Sequence, residues 1–141
     1  MRRRFPLIAF VLFVSMFSPA IFACTIEIFP GAKKARRQAA AVFVAKVLEI
    51  RSLTNSYAVA VTFAVTRSWK GIKASELTVE GDQGLICSSI KFEEGRTYLV
   101  YAYDRGGGFL VASDAPGYSK RIEDAAKDVK DLGAPRIVFS R

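Results

Sequence analysis

The sequence predicts a mainly β domain, a small closed barrel of about five short strands with one or two helices against it. Three observations carry this expectation. Tyr57–Arg67 alternates strictly: Tyr57, Val59, Val61, Phe63 and Val65 share one face, and Ala58, Ala60, Thr62, Ala64 and Thr66 share the other. That period of two is the mark of a half-buried strand. Further short β-rich runs recur along the chain, separated by glycine-rich or polar turns, whereas helical spacing is confined to two segments. A length of 141 residues allows one domain.

The elements follow in order. After Pro30, Gly31–Ala41 holds helix formers and no β-branched residue, so it reads as a short basic helix. Its Lys33, Lys34, Arg36 and Arg37 read as a solvated face. Val42–Ile50 is a strand with both faces largely apolar, and Tyr57–Arg67 is the clearest strand of the chain. Trp69-Lys-Gly71 is the turn that ends it. Glu76–Glu80 is a short strand closed by Gly81–Gly84, and Lys91–Arg96 is a polar turn into the strand Thr97–Tyr103. Asp104–Gly108 is a hairpin loop, because consecutive glycines adopt positive φ without steric cost, and Phe109–Ser113 is the returning strand. A helix is expected from about Lys120 to Leu132, with Ser119 as N-cap and Gly133 just past its end. Ile122, Ala125, Ala126, Val129 and Leu132 form its apolar stripe. Arg136–Phe139 is a final edge strand. This count fits a five-stranded Greek-key OB-fold barrel with one or two flanking α-helices.

The apolar fraction of 51% and mean hydropathy of +0.21 are high for such a domain. The excess is concentrated at the front. Arg2, Arg3 and Arg4 precede an uncharged run from Leu7 to Phe17, Ser18-Pro19 breaks it, and Ala20–Ala23 leads into Cys24. A basic start, an apolar core of about a dozen residues and a small final residue make a secretory signal peptide over 1–23. A membrane anchor needs about 20 apolar residues, so no stable membrane span is expected. Removal of 1–23 takes three of the 21 Lys and Arg and none of the 13 Asp and Glu, and the net charge falls from +8 to +5 over 118 residues. The expected location is secreted, or periplasmic and cell-envelope. Residues 24–141 form the single domain.

The composition excludes several chemistries. There is no histidine, which removes Ser-His and Cys-His nucleophilic pairs and the commonest metal ligand. The adjacent carboxylates Glu93-Glu94 and Glu123-Asp124 fall in a turn and at a helix start, where solubility and the helix dipole explain them. No enzyme activity, cofactor or resident metal is expected. Basic residues are not interleaved with the aromatic strand Tyr98, Tyr101 and Tyr103 as a nucleic-acid surface requires, so no nucleic acid is expected as a partner.

Cysteine occurs twice, at Cys24 and Cys87. In an oxidising compartment these form one disulfide, which closes a loop worth roughly 4 kcal/mol by chain entropy. Two readings of the terminus stand side by side. The bridge fastens a loose end, or it holds the α-amine and first carbonyl of Cys24 as a chelating pair for a zinc ion in another protein. An ordinary α-amine titrates near pH 7.7, so part of it can be neutral near pH 7 and able to ligate. Ile21–Cys24 also has the outline of a lipobox, which makes a lipid anchor on Cys24 an alternative fate.

Cys24-Thr25, Ala41–Val47, Trp69-Lys-Gly71, Ile86-Cys87, Gly95–Tyr101, a glycine hairpin and a terminal helix occur in one order. This order resembles the N-terminal, netrin-like domain of tissue inhibitors of metalloproteinases, in its bacterial single-domain form. The resemblance implies an OB-fold barrel and a zinc metalloprotease as partner. It implies that the amine and carbonyl of Cys24 bind the protease's zinc and that Thr25 enters the pocket beside it. Leu85, Ile86 and Ser88, around Cys87, would complete the protease-binding surface. The chain departs from animal members at Ile26 and at Ala112-Ser113, where those members carry a further bridged cysteine pair. The alternative is a non-inhibitory envelope or extracellular protein-binding module in which Cys24–Cys87 is purely structural.

Overall fold

The structure, a computed structural model, describes residues 28–54, 57–82, 90–112 and 118–140. Among these, helix α1 (Ala32–Gln38) precedes strands β1 (Ala41–Ser52), β2 (Ala58–Lys70), β3 (Glu76–Asp82), β4 (Thr97–Asp104) and β5 (Leu110–Ala112). They are followed by β6 (Lys120–Arg121), a 3-10 turn (Ile122–Asp124), helix α2 (Ala126–Leu132) and β7 (Ile137–Val138). The strand order β1-β2-β3-β5-β4 closes on itself because β4 also pairs with β1. Among the described residues only β3 and β5 run parallel, meeting at Glu80 opposite Val111. The protein is therefore mainly β, a closed five-stranded OB-fold-like barrel with two flanking helices. The short strands β6 and β7 lie alongside β4 and β2.

Two apolar layers hold it. Inside the barrel, alternate residues of the long strands converge: Phe43, Ala45 and Val47 of β1, Val59, Val61, Phe63 and Val65 of β2, and Tyr98, Val100 and Ala102 of β4. Four rings meet edge to face in series, Phe43 on Phe63 at 5.7 Å, Phe63 on Phe92 at 5.4 Å and Phe92 on Tyr98 at 5.0 Å. Such edge-on contacts suit the ring quadrupoles. Phe92 comes from the segment read as a polar turn, yet it is buried at one end of the barrel. Gly81 makes room for it, since a Cβ there would lie 3.3 Å from the Phe92 ring.

The second layer lies outside the barrel. Val42, Val44, Leu99 and Tyr101 pack with Trp69, with Ala32, Ala35 and Ala39 of the α1 segment, and with Ala125 and Leu132 of the α2 segment. The two apolar faces of β1 expected from sequence are thus the inner wall of the barrel and the floor for the helices.

Trp69 departs from the simple alternation. Odd-numbered residues of β2 face inward up to Val65, yet Trp69 sits in the outer layer. The cause is the bulge at Thr66, where Ala45 faces Val65 but Val44 faces Arg67; Trp69 is the extra residue of a second bulge, between Phe43 facing Ser68 and Val42 facing Lys70. Each extra residue shifts the pleat by one and moves the following side chain to the other face.

Other boundaries differ from the sequence expectation. β2 runs through to Lys70 and β3 through to Asp82, into the turns expected there. Tyr57 is exposed, past the end of β2. The expected helix over 120–132 is three elements. Lys120 and Arg121 pair with Leu99 and Tyr98 of β4, Ile122–Asp124 is a 3-10 turn, and only Ala126–Leu132 is α-helical. Ser119 is no N-cap: its Oγ accepts from the Tyr101 amide at 3.1 Å and donates to the Tyr101 carbonyl at 3.4 Å. Pairing with β4 satisfies these backbone groups better than a first helical turn, which leaves its amides open. Gly133 does end α2, at φ 71°. Ala126 of the expected stripe is exposed, and Asp128 is buried in its place.

Candidate functional site

Cys24, Thr25, Leu85, Ile86, Cys87 and Ser88, the residues the sequence assigns to protease and zinc contact, lie outside the described residues, as does the segment 1–23. The first described residues after Cys24 and Cys87 are Ile28 and Ile90. Phe29, five residues past Cys24, packs edge-on against Tyr118 at 5.1 Å and Tyr101 at 5.9 Å. The Lys120 ammonium stands 4.5 Å from the centre of its ring, a cation–π contact. Ile28 before it is exposed.

Ile90, three residues past Cys87, packs against the barrel core. It lines a cleft of about 500 Å³ with Lys91, Glu93, Tyr98, Lys120 and Arg121. Lys120 therefore stands over Phe29 and lines the cleft that Ile90 also lines. Its position is fixed on two sides. The backbone of β6 is paired to β4, and Nζ lies 2.6 Å from Asp128 Oδ2 with both side chains largely buried. Removing either partner would leave a poorly solvated charge. Arg121 bonds Glu93, whose charge raises the guanidinium pKa further, and Glu93 also pairs with Arg96.

Tyr101 lies under this joint. Burial, and secondarily the Asp128 carboxylate, push its phenol well above the ordinary value. Its hydroxyl has no hydrogen-bond partner among the described residues. An unsatisfied buried hydroxyl costs stability, so Tyr101→Phe is expected to be neutral or to stabilise by up to about 1 kcal/mol at pH 7. The sign at high pH follows from linkage. The unfolded chain ionises Tyr101 near pH 10 and the folded chain resists it, so stability falls as pH rises past that value. Urea denaturation of wild type and Tyr101→Phe from pH 7 to about 11 checks both points. The variant should lose part of the alkaline decline; an unchanged slope together with a loss at pH 7 would contradict the assignment.

A second surface feature lies beside β3. β3 meets β5 only at Glu80, so Glu76–Val79 has no strand partner on that side among the described residues. Beside this edge runs a groove of about 720 Å³ lined by Leu53, Ile72, Leu77, Thr78, Phe109 and Leu110, among others. Phe109 is 73% exposed.

Among the described residues, no three His, Cys, Asp or Glu side chains are grouped to hold a metal ion. No helix among them is long and apolar enough to cross a membrane. Comparison with protein-family models, with curated proteins and with solved structures gives no match.

Sequence reading missed Phe29, Lys120 and Asp128 as parts of one joint. Only Asp128 carried a signal: Ala125, Asp128, Val129 and Leu132 stand at i, i+3, i+4 and i+7, so a carboxylate on the buried stripe required a cation.

Proposed function

We propose that the protein is an exported inhibitor of a zinc metalloprotease. Removal of residues 1–23 frees the amine of Cys24, and that amine and the Cys24 carbonyl occupy the open position on the enzyme's zinc. Thr25 fills the adjoining pocket, and Leu85, Ile86 and Ser88 flank it. The observation that supports this reading is that Lys120 stands over Phe29 and shares a cleft with Ile90, on a barrel of the kind the resemblance implies. Tethers of five and three residues span at most about 18 and 11 Å, which is compatible with a Cys24–Cys87 bridge beside that joint. Phe29 is clamped by two rings and an ammonium, an anchor five residues after Cys24. Such preorganisation reduces the entropy lost on docking.

The test is titration of the processed chain against zinc endopeptidases. Stoichiometric inhibition of at least one supports the reading, and none by a folded chain with an unmodified Cys24 amine sinks it. A second reading, a non-inhibitory protein-binding module anchored by a lipid on Cys24, is favoured by the apolar groove beside the free edge of β3. Intact mass of the exported chain separates the two, because a diacylglyceryl adduct blocks chelation and a free amine permits it.

A further inference from the structure

The positive charge is not evenly compensated. Arg51 pairs with Glu49, Arg105 with Glu80, Lys120 with Asp128, and Arg96 and Arg121 with Glu93. A different situation holds where α1 meets the ends of β2 and α2. There Lys33, Arg36, Arg37, Lys70 and Arg136 line one cleft of about 530 Å³ with a single carboxylate, Asp131.

Structural duties account for two of these five cations. Arg36 donates through Nη1 to the Leu132 carbonyl at 3.4 Å and through Nη2 to the Trp69 carbonyl at 3.3 Å, which ties α1 to α2 and β2. Lys70 Nζ donates to the carbonyls of Arg36, Arg37 and Ala39, and so caps the C-terminal end of α1. Neutral carbonyls orient these heads without cancelling their charge. Lys33, Arg37 and Arg136 have no such duty. All three are exposed, and none has an ion pair or side-chain hydrogen bond with a described residue. Three free cations gathered against two immobilised ones repel one another, and an anion between them relieves that repulsion.

We propose that this cleft binds a phosphate group, the chemistry shared by inorganic phosphate, pyrophosphate and anionic phospholipid headgroups. Arg37 and Arg136 supply planar donor forks that match phosphate oxygens, and Lys33 supplies a point charge. Arg36 and Lys70, held by carbonyls, supply a standing positive field that needs no rearrangement on binding. Asp131 subtracts one charge and leaves the cleft strongly positive. The site involves neither Cys24 nor Cys87 and does not depend on protease inhibition.

The test titrates the protein with pyrophosphate, and separately with phosphatidylcholine vesicles with and without phosphatidylglycerol. Two double variants are compared. Lys33→Gln/Arg136→Gln removes two cleft cations, and Lys73→Gln/Lys91→Gln removes the same charge elsewhere; circular dichroism confirms that both fold. Saturable binding of either probe, weakened about tenfold or more by the cleft variant and within about twofold of wild type for the other, supports the site. Binding of pyrophosphate marks a free phosphate ligand, and binding confined to phosphatidylglycerol vesicles marks a headgroup. Equal weakening by both variants, which means unspecific charge attraction, overturns the proposal. So does the absence of saturable binding to either probe.

Discussion

Trp69→Ala is expected to destabilise the protein by about 3–5 kcal/mol, the cost of emptying a buried aromatic site. Trp69 is fully buried in the layer between barrel and helices. Its Nε1 donates to the Gly133 carbonyl at 2.8 Å, just past the end of α2, and its own carbonyl accepts from Arg36 of α1. One residue thus holds both helices to β2. Against a total stability of about 5–15 kcal/mol for a domain of this size, the loss is a large fraction. Urea denaturation followed by circular dichroism measures it. Trp69→Phe keeps most of the volume and loses the hydrogen bond, so it should cost distinctly less. Equal losses for the two variants would show that packing is not the dominant contribution.

The second large effect is at Gly71. Its φ is 79°, in the left-handed region. A Cβ there would come within 2.4 Å of the Ala40 carbonyl oxygen and 3.0 Å of Ala41. Both neighbours are backbone or rigid, so neither can swing aside. Gly71→Ala therefore combines left-handed strain of about 1–2 kcal/mol with an overpacking cost of about 1–3 kcal/mol. Gly95 has the same φ of 79°, with nothing within 4 Å of its would-be Cβ. Gly95→Ala isolates the strain alone, about 1–2 kcal/mol. The difference between the two losses in denaturation midpoint measures the close approach of β2's end to the start of β1. Equal losses would contradict it.

The two sites belong to one sequence motif. Trp69-Lys-Gly71 reads from sequence as a turn, and it is in fact the seam of the molecule. Trp69 reaches α2, Lys70 caps α1 and Gly71 lets the chain pass Ala40. None of those partners is near in sequence, which is why the motif's spacing alone reveals a turn and no more.

What was legible follows from what is local. Alternation in Tyr57–Arg67, and apolar residues on both faces of Val42–Ile50, reflect burial on one or two faces of a strand, and these strands form the barrel wall. The bulge at Thr66 that turns Trp69 outward is set by pairing with β1 across the sheet, so no property of β2 alone predicts it. The helix expected over 120–132 breaks for the same reason. Lys120 and Arg121 have good helical propensity, but β4 offers their backbone a strand partner and Asp128 offers Lys120 an ion pair. Cys24, Thr25 and the residues around Cys87 come from sequence and resemblance, and the fold contributes Lys120, which stands over Phe29 and shares a cleft with Ile90. Phe29 carried no signal, because a lone aromatic beside proline says nothing of the ammonium above its ring.

Inhibition that depends on a free terminal amine is best tested by adding one residue. The chain beginning at Cys24 is compared with the same chain carrying an extra N-terminal alanine, against a zinc endopeptidase that the first inhibits. The added peptide bond removes the amine from Cys24 and leaves the barrel, Phe29 and Lys120 untouched. Zinc chelation predicts a loss of potency on the order of a hundredfold or more, as for removal of a central anchor. Equal potency of the two chains would contradict it.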